Sequence, residues 1–236
     1  MKRIKVLAMA MMMLLPTAMF AVEADTTGAK VEFSAGADLV SSYVWRGSRV
    51  TGASFQPAVG ISYAGFSLGA WGSSDFKNMI NEADFTLGYE IGGFSACVTD
   101  YFGPYVDTVA PKYFESKAHI MEATVGFDFA SVTEKFPLSI AVNTNFLNDL
   151  DEEDEERYST YIELGYPVTA GDVELAFALG LTPAKGMYSD NLNVVNISIK
   201  GSKVIKVTDE FSLPVFSQVV LNPYTESIYM IFGLSL

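Results

Sequence analysis

The sequence predicts an all-β protein, an antiparallel up-and-down transmembrane β-barrel of about twelve strands. Three observations carry this expectation. Hydrophobicity alternates with period two over long stretches, as in strands with one apolar face. Short and long connections alternate along the chain. Half of the 236 residues are apolar and 18% are charged, with 17 Phe and 12 Tyr, yet the formal net charge is −13. So apolar and aromatic a chain is not disordered. Its acidity argues against a nucleic-acid partner, which calls for cationic patches that displace counterions from phosphate. One cysteine excludes a disulfide framework and a Cys-rich zinc site, and one histidine leaves little room for zinc or triad catalysis. No cofactor is expected.

The N-terminus reads as an address. Lys2, Arg3 and Lys5 form a basic region, residues 6–15 are an uncharged apolar run, and Ala18, Ala21 and Ala24 follow Pro16. This is the layout of a secretory signal peptide over residues 1–24, cleaved after Ala21 or Ala24, rather than a short membrane anchor. The run is too short to span a bilayer, and no cysteine is near enough to carry a lipid. Cleavage removes three of the 15 bases and one of the 28 acids, leaving 12 and 27 and a net charge of −15. Residues 25–236 then form a single barrel domain.

The first alternating segment is the longest. Odd positions from Val31 to Trp45 are mostly apolar and even positions from Glu32 to Arg46 mostly small or polar. Sixteen such residues fit a tilted membrane strand with projecting ends. Clear alternation returns over 55–63, 83–91, 121–129 and 173–181. Weaker segments fall near 65–75, 94–102, 137–147, 158–166, 193–200, 211–221 and 226–236. Tight turns are expected at Ala64-Gly65, Gly92-Gly93 and 167–171, on the periplasmic side with both termini. Longer loops are expected at 47–52, 75–81, 103–117, 148–157 and 182–191. Three connections fit less well: 130–136 and 201–210 are long for their side, and 222–225 is short. A soluble sandwich also alternates, but its strands run about five or six residues and expose Lys and Glu freely. Here the polar faces carry Ser, Gly, Ala, Thr and acids. Finally Ile228, Met230, Phe232, Leu234 and Leu236 resemble the C-terminal signal read by the barrel-assembly machinery, although an aromatic is commoner in place of Leu236.

Residues 41–47, Ser-Ser-Tyr-Val-Trp-Arg-Gly, introduce a further pattern. With Gln56-Pro57-Ala58-Val59, residues 69–74 (Gly-Ala-Trp-Gly-Ser-Ser) and Glu82-Ala83-Asp84, they resemble the TorF-like family of outer-membrane porins over roughly residues 35–90. The resemblance implies a small outer-membrane β-barrel with a transport role.

If the apolar parity faces lipid, the other parity faces the lumen. It carries Glu32, Asp38, Glu82, Asp84, Glu90, Glu122, Asp128, Glu163 and Glu174 against two bases, Arg46 and Lys200. Such a lumen favours cations by its field; the alternative is a closed plug of hydrogen-bonded groups. Arg46 requires carboxylate partners in a low-dielectric interior, and Asp38 and Asp84 have the right parity on neighbouring strands. It is either a structural ion pair or a selectivity group. The run Asp149, Asp151, Glu152, Glu153, Asp154, Glu155, Glu156 is either a solvated loop or a divalent-cation contact to lipopolysaccharide. In the second case Asp149, Asp151, Glu152 and Asp154 are the ligands. Tyr43, Trp45, Tyr63, Tyr89, Tyr158, Tyr166 and Tyr224 read as interfacial girdles, with sugar stacking as the alternative for Trp45 or Trp71. Cys97 reads as an inert small residue of lumen parity. Catalysis is not expected: a twelve-strand phospholipase would have to use His119, whose parity points outward and which has no serine beside it on that face.

The expected function is thus a passive outer-membrane channel for small solutes with a cation-preferring lumen. The alternative is a non-conducting structural or surface-binding barrel. Expected partners are outer-membrane lipid and lipopolysaccharide, the assembly machinery, and small solutes or cations.

Overall fold

A computed structural model describes residues 30–77, 81–103 and 112–236; the expected signal peptide, residues 1–24, lies outside the described residues. The first strands are β1 (Glu32–Val40), β2 (Tyr43–Trp45), β3 (Ser48–Thr51), β4 (Ser54–Tyr63), β5 (Phe66–Asp75), β6 (Asn81–Ile91) and β7 (Phe94–Phe102). After them come β8 (His119–Asp128), β9 (Ser139–Leu147), β10 (Thr160–Ala170), β11 (Val173–Thr182), β12 (Asn193–Lys206), β13 (Ser212–Asn222) and β14 (Ser227–Ser235). Twelve of them close into an antiparallel barrel in chain order, with β14 pairing back onto β1. The remaining two, β2 and β3, pair only with each other.

Alternation becomes two faces wherever the backbone is extended. In β4, Ser54, Gln56, Ala58 and Ser62 are buried while Phe55, Val59, Ile61 and Tyr63 are exposed. The same inversion runs round the barrel. Phe33 is 81% exposed and Ile228 70%, whereas Ser54, Glu122 and Asn145 are 1% or less. Most polar side chains lie inside, beside a few apolar and aromatic ones, while large apolar side chains cover the outside.

Two-residue turns that need positive φ account for the tight connections. Ala64-Gly65 (φ 51° and 85°) joins β4 to β5, and Gly92-Gly93 (φ 58° and 83°) joins β6 to β7. The expected turn at 167–171 is shorter, because β10 continues through Pro167, which stands opposite Ala176, to Ala170. The turn is Gly171-Asp172. Likewise the long 201–210 connection shrinks to 207–211, since β12 pairs with β13 as far as Lys206.

The largest departure concerns the sixteen-residue first strand. The barrel strand stops at Val40; Ser41 and Ser42 bend the chain, and Tyr43–Thr51 forms a separate hairpin. Residues 47–52 are therefore not an outside loop. The tip, Arg46-Gly47, has φ 46° and 82°, the two left-handed residues of a type I′ turn. The hairpin is tucked inside the barrel. Tyr43 and Trp45 pack with Ala58, Trp71, Tyr101 and Ile120 on one wall, and Val44 packs against the cluster of Val40, Phe216, Val220 and Ile231 on the other. Period-two alternation persists through it because each of its faces meets an opposite wall.

Candidate functional site

The hairpin carries Arg46 across the interior to strands far from its own. Its guanidinium donates two hydrogen bonds to Glu122 of β8, Nη2 lying 2.9 Å from Oε1 and Nη1 bonding Oε2. Nη1 also donates to the Tyr188 hydroxyl, in the loop between β11 and β12. The guanidinium carbon is 4.4 Å from the ring centroid of Trp45 and 4.7 Å from that of Tyr161. Tyr101 donates to Glu122 Oε1 at 3.0 Å, and Arg46 and Glu122 are both almost wholly buried. A charge so placed needs a partner of opposite sign with satisfied lone pairs; the paired carboxylate and the aromatic faces supply that. Burial pushes the Tyr188 hydroxyl up, so it stays neutral beside the pair.

Gly47 seats the tip. At φ +82° a side chain is strained, and a Cβ there would lie 1.8 Å from the Val195 carbonyl oxygen. Asn222, at the end of β13, donates to the Gly47 carbonyl at 3.2 Å. Its own side-chain oxygen accepts from the backbone of Tyr224 and Thr225 in the next turn. The hairpin is thus pinned to β8, β12 and β13 as well as to its flanking strands.

The expected partners of Arg46 are corrected: Glu122, not Asp38 or Asp84, holds it. A strand continuing to residue 46 would keep it near β1 and β4; the inward bend sends it to the opposite wall. Asp38, Glu82, Asp84, Glu122 and Asp128 all lie buried on inward-facing positions. Glu82 accepts from the Tyr43 hydroxyl at 3.4 Å. Glu163, half-buried, accepts from Tyr161 at 2.7 Å. Glu90 and Glu174 keep inward parity but are exposed. Lys200 faces inward with its ammonium 4.0 Å from the Phe216 ring centroid.

Tyr43 and Trp45 do not belong to an outer girdle. Tyr43 stacks edge-on against Trp71 at 5.4 Å and Trp45 against Tyr101 at 5.7 Å, so neither Trp45 nor Trp71 offers a surface for sugar. Tyr63, Tyr158, Tyr166 and Tyr224 are exposed. Tyr188, Tyr161 and Asn222 were absent from the expected site. Tyr161 and Asn222 stand on inward parity, but only the hairpin's path reveals what they meet.

The acidic loop folds around its own carboxylates. Asp149 is fully buried and accepts from Arg157 at 2.9 Å and from the Ser159 amide at 2.7 Å. Asp151 accepts from the amides of Glu155 and Glu153, which hold its carboxyl below the usual range. Glu152 and Asp154 point to solvent. Among the described residues no group of three or more His, Cys, Asp or Glu is placed to hold a metal ion.

His119 opens β8 on the outer face. Nδ1 lies 2.8 Å from Asp100 and Nε2 2.5 Å from the Tyr113 carbonyl, so both nitrogens are engaged. Cys97 is half-buried and free.

Residues 23–208 match the model of a family described as a bacterial protein of unknown function (Gcw_chp). None of the curated proteins matches the chain.

Proposed function

The chain belongs to the Gcw_chp family of bacterial proteins of unknown function, and we propose that it is an outer-membrane barrel serving as a narrow, cation-preferring channel constricted by its inward hairpin. The apolar outer face supports the membrane setting. Phe33, Phe66, Leu87, Ile228 and Met230, spread over four strands, are more than half exposed, a belt that water would not tolerate and lipid would cover. The signal-like N-terminus and the resemblance of residues 35–90 to TorF-like porins point the same way.

The observation that carries the channel reading is the sign of the interior. Asp38, Glu82, Asp84 and Asp128 line it against the inward-facing Lys200, while Arg46 is neutralised by Glu122. The remaining field favours cations. A specific observation favours a second reading, a non-conducting barrel: the hairpin packs against both walls. Single-channel recording in planar bilayers separates the two. Small cation-selective steps are expected from the wild type, and larger ones from Arg46→Ala, which frees the hairpin tip. Silence from both, in heat-modifiable folded protein, would reject the channel; anion selectivity would reject the role given to the interior carboxylates.

No catalytic role is proposed. With both nitrogens of His119 engaged, His119→Ala and wild type are expected to show the same background in a phospholipase assay; activity lost only in the variant would overturn this.

A further inference from the structure

The outer face has a depression among the large side chains of β11 to β14. Neighbouring strands β11 to β14 place Leu175, Gly201, Ser217 and Phe232 in a single cross-strand row. The row above holds Phe177, Ile199, Val219 and Met230, and Val215, Leu234 and Leu39 lie below. Two small residues side by side, framed by large ones, leave a hollow of about 680 Å³. That is the size of a small-ligand site, ~300–1,000 Å³.

Lys203 lines the lower rim of this hollow. Its ammonium pairs at 2.7 Å with Asp172, in the turn between β10 and β11. Both side chains are well exposed, 45% and 75%, so the pair adds little to stability. What it does provide is one positive and one negative group at the short-turn end of an apolar hollow. The hydrogen bond and charge of Lys203 hold the Asp172 carboxyl below its usual range, so that carboxyl stays charged at neutral pH.

We propose that this hollow binds one phosphatidylethanolamine molecule. An acyl chain lies over Gly201 and Ser217 between Leu175 and Phe232, the phosphate meets Lys203, and the headgroup ammonium meets Asp172. The rim complements a zwitterionic headgroup that has N–H donors. An anionic headgroup without the ammonium leaves Asp172 opposed to the lipid's charge. The assignment rests on the membrane reading above.

The test is native mass spectrometry of the detergent-purified, folded chain titrated with palmitoyl-oleoyl phosphatidylethanolamine or the phosphatidylglycerol of the same chains. The wild type is expected to retain one phosphatidylethanolamine in preference to phosphatidylglycerol. Gly201→Leu/Ser217→Leu fills the hollow without touching the interior and is expected to weaken retention about tenfold, as an acyl segment loses its contact area. Asp172→Asn leaves the hollow intact and is expected to abolish the preference between headgroups. Equal retention by the filled variant, or no headgroup preference in the wild type, overturns the assignment. Insertion of the wild type into vesicles, scored by heat-modifiable mobility, is measured alongside. A protein that inserts but retains no lipid removes this inference alone; one that does not insert removes the membrane reading beneath it.

Discussion

Arg46 and Gly47 show how two adjacent residues can set the interior of a barrel. The guanidinium and Glu122 are buried together, and removing one partner of such a pair leaves an uncompensated charge, a loss of ~3–5 kcal/mol. Arg46→Ala is expected to lower the unfolding free energy of the refolded barrel, measured in urea, by that amount, and Arg46→Ala/Glu122→Ala to recover much of it. Strict additivity of the two single changes would contradict the coupling. At Gly47 the cost has two sources, the left-handed backbone and the Val195 carbonyl. Gly47→Ala is expected to lose more than the ~1–2 kcal/mol of the conformation alone, because the tip has to leave its seat. An unfolding free energy within a few tenths of a kcal/mol of wild type would show that the tip is not seated there. Neither residue's role was readable from parity. Parity states which side of a strand a side chain takes, and Arg46 is not on a barrel strand.

At the level of elements, most of the barrel strands were legible because outer-face and interior-face positions differ in residue type at period two. The hairpin of β2 and β3 was not, since it keeps the same period while both its faces meet protein. A local signal did exist: Trp45-Arg46-Gly47-Ser48 has glycine at the second turn position between extended residues, as a type I′ hairpin requires. The 148–159 loop is a different case, an acidic run whose carboxylates serve their own backbone. Its Asp151 is held low by the Glu155 and Glu153 amides, so its stabilising bonds are present above the ordinary carboxylate pKa and fade as pH falls through the lowered one. Cleavage of this loop by pepsin is expected to rise below about pH 4, and Asp151→Asn is expected to flatten that rise. An unchanged acid profile in the variant would remove Asp151 as the cause.

For the whole molecule, closure is what satisfies the backbone. β14 pairs with both β13 and β1, so deleting residues 227–236 exposes two strand edges at once. That truncation is expected to lose heat-modifiable mobility and protease resistance; a protected, heat-modifiable product would mean that another strand can close the ring. The same closure separates features set strand by strand from features set by contacts across the ring. Strand number, inside-out polarity and the acidic character of the interior follow from alternation, because each depends on one residue's own side of one strand. The partner of Arg46, the inward course of the hairpin and the hollow over Gly201 and Ser217 depend on residues brought together across the ring or side by side on it. Closing the sheet sets those distances, and no local pattern in the chain encodes them.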